Sequence, residues 1–143
     1  MIQEINMKKK TLKKISVAIL AAGLAGFLIW DNVYTFKGKC RNFFEGRYYS
    51  DFYTFNGKEV IEFQLETGEK LHLDAHIEKG KVEVSFTCKG EKKGEVISNI
   101  KDADTYFTAD KTGRYIVKMK FKHAKGTVEI KCDDQVKDKT IYR

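Results

Sequence analysis

From residue 45 onward, apolar and polar side chains alternate with a period of two. Ile61, Phe63 and Leu65 alternate with Glu62 and Gln64; Leu71, Leu73, Ala75 and Ile77 alternate with His72, Asp74 and His76; Val82, Val84, Phe86 and Cys88 alternate with Glu83, Ser85 and Thr87. Tyr115, Val117, Met119 and Phe121 against Lys118, Lys120 and Lys122 repeat the pattern, and Val128 and Ile130 against Glu129 and Lys131 end it. Each run reads as a strand with one wet face. Glycines at 57, 68, 80, 90, 113 and 126 fall between the runs. Asn56-Gly57 is the strongest hairpin signal, because both residues tolerate positive φ, and Thr67-Gly68, Lys79-Gly80 and Lys125-Gly126 read as similar turns. Strands are expected near 47–55, 58–66, 69–78, 81–89, 95–98, 104–108, 113–123 and 126–132. The fold class that follows is all-β, an antiparallel, jelly-roll-like β-sandwich of about seven or eight strands over residues 45–132. No stretch after Trp30 carries a helical period.

The N-terminus breaks the pattern. Five lysines between Lys8 and Lys14 precede Ile15–Trp30, a run without a charge. As a helix this run is about 24 Å long, against a bilayer core of about 30 Å. Flanking lysines that snorkel and Trp30 at the far interface fit a single-pass anchor with a cytoplasmic N-terminus. Ile15, Leu20, Leu24, Phe27 and Trp30 mark the segment in contact with membrane lipid. Gly23-Leu24-Ala25 offers a signal-peptidase site, but Phe27–Trp30 stay apolar past it, so an uncleaved anchor is expected over a secreted chain. The plan is therefore a leader and anchor (1–30), a stalk (31–44), an extracellular sandwich (45–132) and a polar tail (133–143).

Charge supports this plan. The chain is +7 overall, but residues 1–30 supply +4 and the remaining 113 residues only +3 with the signs interspersed, so no nucleic-acid partner is expected. Three cysteines, Cys40, Cys88 and Cys132, allow at most one disulfide, and the sequence does not choose its partners.

Asp51-Phe52 before an aromatic strand, Gly68-Glu69-Lys70-Leu71 at a turn and Gly113-Arg114-Tyr115 opening a late strand occupy places characteristic of one group of sandwiches. Across residues 45–132 the chain resembles the pre-peptidase C-terminal domains, small jelly-roll modules attached to bacterial secreted enzymes. That resemblance implies a jelly roll and no catalytic residues. The accessory role is not expected to carry over to residues 45–132.

Three patches are candidates for function. His72, Asp74, His76 and Glu78 share the outer face of one strand, where neighbours two residues apart stand about 6.6 Å from each other. A metal there would need a third ligand from Glu62, Gln64, Glu83 or Ser85, if the hairpins pair in sequence; a solvated strand face is the expectation, with no metal and no cofactor. Rings between Phe43 and Phe55 include Tyr48 and Tyr53, which if exposed would stack on a cell-wall glycan, but adjacent rings point to opposite faces, so the expectation is that alternate rings fill one end of the core and the others shield the membrane-proximal edge. Lys118, Lys120 and Lys122 form a basic stripe suited to an anionic surface or to protecting a sheet. No nucleophile elbow, zinc-protease helix motif or phosphate loop occurs. The sequence thus points to a non-catalytic binding module outside a bacterial membrane, with a glycan or an envelope protein as ligand. The alternatives are an extracellular cap on a membrane complex and a metal-assisted hydrolase using His72, Asp74 and His76.

Overall fold

A computed structural model describes residues 19–29, 32–44 and 46–133. It contains two compact units, divided between Val33 and Tyr34. In the first, residues 19–29 form an α-helix ended by Val33 N–H donating to the Ile29 carbonyl (3.0 Å) and the Asn32 amide donating to that of Leu28 (2.8 Å). Leu20, Leu24 and Phe27 lie on this helix and are exposed, as are Ile19, Leu28 and Ile29. Ile15 and Trp30 lie outside the described residues, and among those described no helix is long and apolar enough to cross a membrane.

Among its described residues the second unit has six strands: β1 (Thr35–Phe44), β2 (Arg47–Leu65), β3 (Lys70–Cys88), β4 (Glu95–Ile97), β5 (Asp102–Thr108) and β6 (Gly113–Cys132). All pairings are antiparallel, in the order β1-β2-β6-β3-β4, with β5 also on β3. Three expected hairpins are not turns. Asn56-Gly57, Lys79-Gly80 and Lys125-Gly126 sit inside single strands of 19 or 20 residues, where the ladder registers shift.

The reason is visible in side-chain parity. In β2 the buried positions change from Tyr48, Ser50 and Phe52 to Phe55, Glu59, Ile61, Phe63 and Leu65; in β3 from Leu71–Ile77 odd to Val82–Cys88 even; in β6 from Tyr115–Phe121 odd to Ala124–Ile130 even. A one-residue bulge restores inward parity as well as a chain reversal does, and it bends the strand. The positive φ that suggested turns is real and serves the bend. Gly80 has φ +80° and Gly126 +149°, and a Cβ on Gly126 would stand 2.0 Å from the His76 carbonyl oxygen. Beside them, His123 adopts φ 45°.

The three bent strands fold the sheet over itself. One layer holds β1, the first halves of β2 and β3, the second half of β6, and β5; the other holds the remaining halves and β4. Rings bridge the layers: Phe107 of β5 stacks on Phe86 (4.9 Å between centroids) and meets Tyr115 edge-on (5.3 Å). At the corner Phe55 stacks on Phe121 at 3.9 Å, with Phe52 edge-on to both. The expected antiparallel sandwich is therefore present, built among the described residues from six strands rather than seven or eight.

The stalk is largely strand β1, whose Arg41 meets the buried Glu59 across the layers. None of the three cysteines forms a disulfide; Cys88 is buried and Cys40 and Cys132 are half-buried. Thr67-Gly68 does form a turn, and Gly113 opens β6 with Tyr115 buried behind it. The tail beyond Asp133 lies outside the described residues.

Candidate functional site

Because the hairpins do not pair in sequence, the neighbours of β3 differ from those expected. His72, Asp74 and His76 face outward, but beside them run β5 and β6 rather than Glu62, Gln64, Glu83 or Ser85. His72 Nε2 contacts Asp104 Oδ1 at 2.6 Å and its ring stacks on Tyr106 at 4.6 Å; His76 Nδ1 bonds to Asp102. The histidines are thus held by two different carboxylates. Asp74 lies opposite Asp104 on one side and Glu129 on the other, and Glu129 is paired with Arg47 at 2.5 Å. Glu78 pairs with Lys125 at 2.5 Å, whose hydrogen bond lowers its pKa. Among the described residues, no group of three His, Cys, Asp or Glu side chains is placed to hold a metal ion.

The tyrosine pair is also split. Tyr48 is fully buried against Phe43 (5.1 Å), so it presents no ring to a ligand. Burial raises its pKa above the ordinary tyrosine range. The reason is its even parity on the inner face of β2. Tyr53 is 53% exposed, with the Lys39 ammonium 5.8 Å from its ring centroid. Near Tyr48 sits a buried polar group that sequence reasoning missed. Glu59 Oε1 accepts from Arg41 Nη1 (2.7 Å) and from the Tyr34 hydroxyl (2.9 Å). The hydroxyls of Tyr48 and Ser50, though neighbours, form no hydrogen bond of acceptable geometry with each other or with another described residue. A charged residue at an inward position, Glu59, was the available signal.

The basic stripe takes a different form from that read in the sequence. Lys118 lies opposite Val60 of β2 and Ser85 of β3, Lys120 opposite Lys58 and Glu83, and Lys122 opposite Lys81. Across this outer face of the second layer runs an open groove of about 700 Å³, from the loop before β4 over β3 and β6 to β2. Five lysines line it: Lys58, Lys92, Lys93, Lys118 and Lys120. One carboxylate does so, Glu83, and it is already engaged by Lys120 (2.9 Å) and the Ser98 hydroxyl (3.1 Å), whose hydrogen bonds lower its pKa. Lys58, Lys92, Lys93 and Lys118 form no ion pair among the described residues. Val60 and Val96, 41% and 55% exposed, supply apolar surface, and Ser85 and Thr87 supply hydroxyls. The lining carries no aromatic ring. Lys122 is outside it, and Lys92 and Lys93, contributed by a loop with no periodicity, went unnoticed in the sequence.

A smaller hollow of about 520 Å³ lies at the β1–β2 hairpin beside Phe44 and Tyr49. Its two arginines are committed, Arg41 to Glu59 and Arg47 to Glu129.

No protein family matches this chain, and no curated protein does so. Solved structures similar to it include Drosophila melanogaster CENP-C bound to CAL1, at 11% identity over 80% of this chain and 98% of that one with a TM-score of 0.39, and the Drosophila melanogaster CENP-C cupin domain, at 10% identity over 72% and 81% with a TM-score of 0.38. Neither is a pre-peptidase C-terminal domain.

Proposed function

We propose that this chain is a non-catalytic binding module that captures an extended, acidic segment of a partner protein in the lysine-lined groove. The single observation that carries the reading is the charge of that groove: five lysines face one already neutralised carboxylate, across a lining with two exposed valines. An acidic partner gains complementary potential and faster encounter, and the valines reward apolar side chains set between its carboxylates. A glycan is the weaker fit, because sugars are gripped by ring faces and the groove has none. Separate carboxylate partners for His72 and His76 support a binding role over a metal-assisted hydrolase.

The module is held at the outer side of a membrane by residues 15–30. Six exposed apolar side chains on the helix 19–29, apolar on every side, support this placement, as does the lysine block before it. A tag at the C-terminus that cannot be reached by a protease from outside intact cells rules this topology out.

The binding test uses a fluorescein-labelled 12-residue peptide of alternating Glu and Val, with the full chain in mild nonionic detergent. Anisotropy should report binding that weakens roughly tenfold between 50 and 300 mM salt. The triple variant Lys92→Glu/Lys93→Glu/Lys118→Glu should abolish it, with far-UV circular dichroism unchanged. Equal binding by the triple variant, or tighter binding of an anionic polysaccharide with the same dependence on these lysines, rejects the reading.

A further inference from the structure

We propose that two copies of this chain associate through the edge of β2 between Gly57 and Leu65, adding strand to strand about a two-fold axis at Val60. This pairing rests on the backbone edge of β2 and not on the groove's ligand, although Lys58 and Val60 also line the groove. β1 covers β2 only from Arg47 to Asn56, so beyond the corner β2 has β6 on one side and, among the described residues, no strand on the other. Half of its backbone N–H and C=O groups therefore face outward as a template for a further strand.

The other long edges are guarded and this one is not. β1 carries Lys37, Lys39 and Arg41 and two register breaks around Gly38. β5 is seven residues long with Asp102 and Asp104. Charges, short length and bulges of this kind discourage edge pairing. From Lys58 to Leu65, β2 has no register break, no glycine and no proline, and its sequence KEVIEFQL is rich in strand-forming residues. Glu59, which points inward, is already neutralised by Arg41 and Tyr34.

Its outward charges are complementary to themselves. An antiparallel pairing centred on Val60 places Lys58 opposite the second copy's Glu62 and Glu62 opposite the second copy's Lys58, with the two 41%-exposed Val60 side chains in contact at the centre. Opposite charges and paired β-branched side chains are the favourable cross-strand combinations. Lys58 forms no ion pair within its own copy among the described residues, and Glu62 has only Arg114 at 3.3 Å.

The test is register-specific and uses the full chain in nonionic detergent, in a Cys40→Ser/Cys132→Ser background. Mild oxidation should link Val60→Cys chains into a dimer on a non-reducing gel. Gln64→Cys chains should stay single, because in this register the two Gln64 positions stand eight residues, or about 27 Å, apart. Lys58→Glu should weaken dimerisation at least about tenfold in sedimentation equilibrium, and Lys58→Glu/Glu62→Lys should restore it, all with unchanged circular dichroism. Equal cross-linking at positions 60 and 64, none at 60, or a Lys58→Glu chain that dimerises normally overturns the proposal. So does a chain ending at residue 133 that dimerises where the full chain does not, since the C-terminal residues would then occupy the edge.

Discussion

Glu59 is 5% exposed, and replacing Arg41 by alanine should expose what such a buried carboxylate costs without its partner. Arg41 Nη1 lies 2.7 Å from Glu59 Oε1, and its side chain keeps 22% of its surface in solvent. Removing one member of a buried ion pair costs about 3–5 kcal/mol, because the remaining charge is desolvated and uncompensated. Two features move this pair below that range: water reaches the guanidinium side, and the Tyr34 hydroxyl still donates to Glu59 at 2.9 Å. We expect Arg41→Ala to cost about 2–3 kcal/mol, which for a domain of this size lowers Tm by roughly 10–20 °C. The double variant Arg41→Met/Glu59→Leu removes both charges and fills the space with apolar volume, so it should recover to within about 1 kcal/mol of the parent. Urea unfolding followed by far-UV circular dichroism on the full chain in detergent measures all three proteins. If Arg41→Ala costs less than about 0.5 kcal/mol, as a surface pair would, or if the double variant is worse than the single one, the account of Glu59 as a desolvated carboxylate is wrong.

Three further outcomes follow from the core and its corners. Ser50→Ala and Tyr48→Phe each delete a buried hydroxyl without a partner, so neither should lower the urea midpoint and each should raise stability by up to about 1 kcal/mol. Gly126→Ala should cost more than about 2 kcal/mol, because its Cβ meets the His76 carbonyl, whereas Gly68→Ala, with φ +87° and open space around it, should cost about 1 kcal/mol; thermal melts compare the two. At high pH, the pKa values of Tyr34, Tyr48 and Tyr115 are raised chiefly by burial, so the fold favours their neutral forms. Their contribution is complete below the ordinary tyrosine value of about 10 and is lost as pH rises through the folded-state values. Phenolate absorbance at 295 nm should therefore rise together with loss of the β signal, and full ionisation of all three in a still-folded protein contradicts this.

The alternation of residues fixes which side chains face inward, and nearly every inward assignment from Ile61 to Ile130 agrees with the burial found. It does not fix whether a change of parity marks a reversal or a bend. Lys79-Gly80 shows why: positive φ and a skipped residue are common to a hairpin and to a bulge, and only the partner strand decides between them. Here β6 runs unbroken past the corner, with Ala124 and Phe121 opposite Phe55 and Gly57, so β2 and β3 continue with it. That single ambiguity propagated. A hairpin would bring Glu62 and Glu83 beside the histidines of β3, whereas the bend brings Asp102 and Asp104. Outward parity alone places Lys118 and Lys120 on the outer face, but the groove they line depends on a loop brought alongside by β4. Local pattern thus determines the face of a residue in this protein. The company it keeps is determined by long-range pairing, which is where the candidate site resides.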